Sequence, residues 1–390
     1  MRGGDGVPVE RVTAADVAVV GAGVIGLSIA HALVASGSPR VVVYDRLGIA
    51  AGASGIQPGG VRHQWSTRLN CHLVLESSAF YRELGDRLGI SGAPVLEPCG
   101  YLFLAHESST LERLAVDVAM QNELGIPSQL LGPTDLLEVL PELHVDGLLG
   151  GTFCSEDGYF DRPQAVVEAF GETFVRDGGT IEIRDVREVV RDGTGWKLTF
   201  DDGWHTTAQH VIVAAGHQSS QLIAPTAGNI PIAPQAKHLF LSDPVGETLL
   251  EPLVIAIDRH FAAKHLANGR VLTSDLTASG ETSMDEDRWR AHVRACIEEL
   301  LPRLTYVALG IRVQGEYDLT PDRHPIVGPV DSDGSLWLAA GFSGHGFMIA
   351  PAVGRLVAEA IARGSRDPLL ESLSLERFDR QKLEPELQIV

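Results

Sequence analysis

The 390-residue chain is poor in cysteine, in lysine and in long apolar runs. Its four cysteines, Cys71, Cys99, Cys154 and Cys296, form neither a C-x-x-C pair nor a Cys/His cluster at zinc spacing. That excludes a disulfide framework and a structural zinc, so reduced thiols and no metal are expected. No apolar stretch approaches the ~20 residues of a membrane helix. Residues Met1 to Ala15 are polar, contain Pro8 and lack the apolar core of a signal peptide. They read as a disordered lead-in to a cytoplasmic protein. Basic residues are outnumbered 31 to 51, and the net charge of -20 repels nucleic acid and anionic membranes. Only Lys197, Lys237, Lys264 and Lys382 are lysines, which says little about function. There is no internal repeat or heptad. At roughly 100–200 residues per domain the length predicts two or three domains. These are large enough to bury cores without staples.

One constellation stands out. Val17 to Val20 is a short apolar run of the kind that fits a parallel strand buried on both faces. Gly21-x-Gly23-x-x-Gly26 follows, then a helical pattern with Ile25, Ile29, Ala32 and Leu33 on one face, ending near Gly37. A second apolar run, Val41 to Tyr44, ends in Asp45, nineteen residues beyond Gly26. Strand, glycine turn, helix, strand and acid together predict a dinucleotide site. Gly21 permits the tight turn, Gly23 lets the backbone approach a pyrophosphate, and Gly26 lets helix and strand pack closely. The helix N-terminus offers free N–H groups to the phosphates. An acid at the strand end disfavours NADP and leaves NAD and FAD open.

Three further segments favour flavin. Gly52 to Trp65 is rich in small residues and contains Arg62-His63-Gln64-Trp65. Val211 to Gly216 is a buried strand running into a glycine. Gly341-Phe-Ser-Gly344-His345-Gly346-Phe347-Met348 precedes an apolar helix. With Thr320-Pro321-Asp322-x-x-Pro325, these segments resemble the glycine oxidase, sarcosine oxidase and D-amino-acid oxidase superfamily of flavoenzymes, from about Asp16 to Gly364. The resemblance implies an α/β chain: a three-layer, Rossmann-like FAD domain interleaved with an α+β mixed-sheet substrate domain. It implies residues 16–88, 146–228 and 316–365 in the FAD domain, 89–145 and 229–315 in the substrate domain, and a tail, 366–390, as a surface helix. Beyond the fingerprint, it implies cofactor contacts from Val24, Ile25, Arg46, Ser54, Gly60, Val61, Arg62, Val186, Ala215 and Gly216. Gly341, Gly344, His345, Gly346, Phe347 and Met348 complete that set, with glycine N–H groups closing on the flavin edge.

The resemblance further implies oxidation of a small amine or amino acid, with a hydride passing from the C–H beside nitrogen to the flavin. Arg62 and His63 match the family's Arg-His step; Arg62 is a ligand for a carboxylate or for the flavin. Tyr317 matches a pocket tyrosine, and Arg312 is a second carboxylate candidate. Departures matter too. Gly315 stands where monomeric sarcosine oxidases carry the flavin-tethering cysteine, so FAD is expected to be noncovalent. Met348 stands where they carry a carboxylate-binding lysine, which makes sarcosine a poor substrate. Val271 falls near their oxygen-activating lysine, which leans toward a dehydrogenase. The acceptor, oxygen or another carrier, and the oligomeric state stay open. Oxidation of a 2-hydroxy acid and a low-turnover flavin-containing assembly protein are the alternatives.

Overall fold

The computed structural model describes residues 14–278, 285–364, 367–379 and 383–388. Its first strand, Ala14–Val20, pairs in parallel with Val41–Asp45 on one side and His205–Val213 on the other. The strand thus begins two residues inside the segment expected as lead-in; most of that segment, residues 1–13, lies outside the described residues. Thr180–Ile183 and Leu336–Ala340 extend the parallel core. Val186–Asp192 and Gly195–Phe200 add an antiparallel meander beside His205–Val213. The chain is therefore α/β, with a Rossmann-like sheet.

Alternation along the strands explains the layering. Val17, Val19, Val41 and Val43 share a core with the helices Val24–Ala35, Pro163–Arg176 and Gly346–Arg363. Ala18, Val20, Val42 and Tyr44 point the other way, into a core with Trp196, Leu198 and Phe200 of the meander. A two-residue side-chain period makes each face a separate layer. The two longest-range helix partners, Val24–Ala35 and Gly346–Arg363, cross where Gly354 meets Ser28. A Cβ on Gly354 would lie 2.5 Å from Ser28 Oγ, and that hydroxyl donates to Ala350 O at 2.9 Å.

A second eight-stranded mixed sheet has Ala233–Leu241, Ile311–Leu319 and Tyr101–Ala105 among its strands. Gly150–Cys154 also belongs to it, paired with Tyr101–Ala105. This moves the expected boundary at 146, because that strand hydrogen-bonds in the second sheet. Likewise Ile311–Leu319 stays paired to its end, so the boundary expected at 316 falls inside a strand. A three-stranded sheet of Gly60–Val61, Gly158–Phe160 and Leu96–Pro98 lies apart from both.

The tail is not a surface helix. Pro368–Leu373 is one short helix, Leu375–Asp379 is a 3₁₀ turn, and residues 383–388 form no regular element. Glu386 and Gln388 are buried. The Glu386 carboxylate accepts from Ser66 N and Oγ, Thr67 Oγ1 and Asn70 Nδ2, at the start of the helix Arg68–Arg82. Free N–H groups there make a natural seat for an acid. Among the described residues no helix is long and apolar enough to cross a membrane.

Candidate functional site

A cleft of about 530 Å³ runs along the C-terminal edge of the parallel sheet. At one end stand Asp45, Arg46 and Val186. The Asp45 carboxylate accepts from Ala22 N at 2.8 Å and from Leu47 N and Gly48 N, which fixes its direction. In the middle, Gly21, Gly23, Val24, Ile25 and Ser54 line the cleft, facing Ala215 and Gly216. Here the glycines are required. Gly21 has φ +116°, and a Cβ on it would lie 2.3 Å from Ala214 O. A Cβ on Gly26, behind the cleft, would lie 1.9 Å from Gly21 O. Val24 N, at the start of its helix, donates to Ser54 Oγ at 3.0 Å, so this helix end already holds one oxygen acceptor.

The far end is closed by Tyr317, Gly344, Gly346 and Phe347. Gly344 has φ +90°, and its Cα packs on the Tyr317 ring, 2.3 Å from where a Cβ would stand. Helix Gly346–Arg363 starts here, with Gly346 and Phe347 on the cleft wall and the Met348 amide donating to His345 O at 3.1 Å. Gly341 behaves otherwise. Its N–H donates to the half-buried Asp318 carboxylate at 2.7 Å, so it is not available to a flavin edge, and a Cβ there would strike Thr320. Burial pushes the Asp318 carboxyl up, against the pull of the Gly341 amide.

Beyond Tyr317 lies a second cluster. A Cβ on Gly60 would lie 1.8 Å from the Tyr101 hydroxyl and 3.7 Å from Met348 Cε. Val61 is fully buried behind Gly60. Arg62 is 2% exposed. Its guanidinium lies 3.6 Å from the centre of the Trp65 ring and donates to the carbonyls of Gln64 and Gln388. Burial lowers the Arg62 pKa, while Glu386, Tyr101, Asp157 and Tyr317 act to raise it. Among the described residues Arg62 has no salt-bridge partner. His345 lies tilted against Trp65 with ring centres 4.9 Å apart; burial, with His324 and Arg62 nearby, holds its imidazole well below the ordinary range. Among the described residues neither of its ring nitrogens makes a hydrogen bond of ordinary geometry.

Two expected site residues lie elsewhere. His63 is fully buried, its Nδ1 2.9 Å from Asp157 Oδ1 and its Nε2 2.8 Å from Ser78 Oγ. Both ring nitrogens are consumed, so His63 anchors the Arg62 segment instead of facing a substrate. Cys154 completes a buried trio with His63 and Asp157 whose ligand atoms lie within 4.8 Å. Burial pushes that thiol up, and His63 and Asp157 bond each other. Arg312 points to the other side of the sheet from Tyr317 and pairs with Glu286 at 2.9 Å. The strand period foretells this, since positions five apart face opposite ways. Val271 lies in the core of the second sheet, away from the cleft. Tyr101, Asp157 and the tail residues Glu386 and Gln388 carry no motif that names them.

The cleft fits FAD. It has a carboxylate at one end, a glycine-bared helix start in the middle, and a second helix start with apolar walls at the other. The family described as "FAD dependent oxidoreductase" matches residues 16–360. The chain is 30% identical to FAD-dependent oxidoreductase domain-containing protein 1 of Bos taurus, over 92% of this chain and 82% of that one. It is 27% identical to glycine oxidase of Geobacillus kaustophilus, over 93% and 97%. The crystal structure of L-proline dehydrogenase from P. horikoshii superposes with a TM-score of 0.87 at 24% identity, covering 96% of this chain and all of that one.

Proposed function

Because this chain belongs to the FAD-dependent oxidoreductase family and carries FAD as its cofactor, we propose that its substrate is a small amine that bears a carboxylate, an amino or imino acid. Bound FAD supplies a hydride acceptor for the C–H beside the nitrogen, which leaves an imine for water to hydrolyse. Among the described residues no thiol lines the cleft, and Gly315 there abuts Ile56, which supports a noncovalent flavin.

The observation that carries the reading is Arg62, a buried cation without a carboxylate partner among the described residues. Burying an unpaired charge is costly, and a substrate carboxylate offsets that cost through charge-assisted hydrogen bonds. Trp65, Tyr101, Phe103 and Met348 give the surroundings an apolar character, which excludes water and favours one orientation. The cation also acts on the substrate nitrogen. A second positive charge nearby is disfavoured, so Arg62 promotes the neutral amine, whose lone pair assists hydride loss. The names of the glycine oxidase and proline dehydrogenase relatives support amino acids over hydroxy acids.

The test is anaerobic titration of the yellow protein with amino acids, secondary amines and 2-hydroxy acids in parallel. Bleaching by an amino or imino acid, lost in Arg62→Met with the flavin retained, is expected. Bleaching by hydroxy acids alone would overturn the reading. Readmitting air then shows whether oxygen is the acceptor.

A further inference from the structure

Lys264 stands on the strand Phe261–His265 and is 1% exposed. Its Nζ donates to Cys99 Sγ at 3.1 Å and lies 3.4 Å from the centre of the Tyr159 ring. Among the described residues it has no carboxylate partner. A buried ammonium in that setting needs a negative charge opposite it. The groups that stand opposite it are the Cys99 sulfur and the face of Tyr159. Burial pulls the Lys264 pKa down, and Cys99 pulls it back up.

The other three thiols are in the opposite situation. Cys71, Cys154 and Cys296 are buried, and burial pushes each thiol up, Cys71 and Cys296 to about 12. Cys99 is half-buried, the one thiol among the four that is not fully enclosed. It is also wired to the site. Cys99 N and Gly100 N both donate to Asp157 O, and the Asp157 carboxylate holds His63 and Gln64, the two residues that follow Arg62. Tyr101, two residues on, places its hydroxyl on Gly60. Gly100 between them has φ +75°, and a Cβ there would lie 2.1 Å from the Phe153 ring, so little slack separates the two ends.

We propose that the Cys99–Lys264 pair is a modification site for hydroperoxides, and that its oxidation is transmitted to the flavin pocket through Gly100 and Tyr101. As the Cys99 sulfur attacks one peroxide oxygen, its proton passes to Lys264 Nζ and the O–O bond breaks. Sulfur is oxidised by two electrons to a sulfenic acid. The departing hydroxide takes the proton from the Lys264 ammonium and leaves as water. The added oxygen crowds the Gly100 turn. This inference is independent of which substrate the flavin oxidises.

The test uses the FAD-loaded protein and hydrogen peroxide, with dimedone to trap sulfenic acid and peptide mass mapping of all four cysteines. Cys99 is expected to label at least about tenfold faster than the other three, with Lys264→Met removing about tenfold of that rate and Lys264→Arg retaining most of it. Peroxide is expected to shift the visible spectrum of bound FAD in the wild type and not in Cys99→Ser. Equal labelling of the four thiols, or an unchanged rate in Lys264→Met, would overturn the site. Should Lys264→Met not fold, the wild-type map and Lys264→Arg decide. Labelling with an unchanged flavin spectrum would overturn the transmission.

Discussion

The Tyr81 hydroxyl donates to the Phe347 carbonyl at 2.6 Å. That carbonyl would ordinarily serve the amide four residues on, but Pro351 occupies that place and has no N–H. Tyr81 also stacks on the Phe347 ring at 5.5 Å. A side chain from another helix thus repairs the backbone where the flavin-facing helix begins. Tyr81→Phe keeps the ring and removes the donor, leaving a buried carbonyl unsatisfied. A loss of about 1–3 kcal/mol in urea unfolding of the holoprotein is expected, with the m-value unchanged.

Gly26→Ala is expected to abolish flavin retention. Its Cβ would meet Gly21 O at 1.9 Å, so the turn that places the start of the helix Val24–Ala35 at the cleft must shift. The flavin-to-protein absorbance ratio after purification measures this. A protein as yellow as wild type would show that the turn tolerates the displacement.

Asp322 and Arg377 form a buried pair at 2.8 Å, with side-chain exposures of 2% and 7%. Burial pushes the Asp322 carboxyl up, but Arg377 overrides it and the net shift is downward. A depressed folded pKa means the pair's stabilisation is present above the unfolded value of about 3.9 and is lost as pH falls through the folded pKa. Asp322→Asn is expected to cost about 3–5 kcal/mol at neutral pH. The gap to wild type should close below about pH 4 in acid-unfolding curves.

His345 titrates in the opposite sense to a paired histidine. Its folded pKa is held well below 6.5, so the unfolded state takes up a proton that the folded state refuses. This contribution costs stability as pH drops below about 6.5. Comparing thermal midpoints at pH 8 and pH 5.5, His345→Asn should lose less on acidification than wild type does. It should lose no less if the imidazole is charged in the folded protein.

Glu386→Ala removes four hydrogen bonds to Ser66, Thr67 and Asn70 and frees the segment that lays the Gln388 carbonyl on Arg62. Hydrogen bonds to a charged group contribute about 1.5–3 kcal/mol, so a destabilisation of that order is expected. Limited proteolysis should then clip the tail first. Should Arg62 bind substrate as proposed, the concentration of amino acid needed for half-bleaching also rises.

The dinucleotide cleft was legible because its code is local. Gly21, Gly23, Gly26 and Asp45 follow from one strand, one turn and one helix, and the glycines of 341–346 announce a turn that only small residues make. Gly341 shows the limit of that logic, since its partner Asp318 is on another strand and takes the amide meant for a ligand. His63 and Arg312 were misread for the same reason. Their fates depend on Asp157 and Glu286, residues no periodicity connects to them. The domain boundaries near 146 and 316 failed because an apolar strand does not state which sheet it joins. The tail failed because its value lies in one acid, Glu386, placed against a distant helix start.

The first strand, Ala14–Val20, has one neighbour from nearby sequence, Val41–Asp45, and another that arrives only with His205–Val213; Leu336–Ala340 comes later still. While the chain leaves the ribosome, one edge of the nascent sheet therefore stays unpaired and able to recruit strands from other chains. Colour is then a record of assembly. Walls of the cleft come from both ends of the chain, so a molecule that holds its yellow has already finished the slowest, most long-range part of its folding.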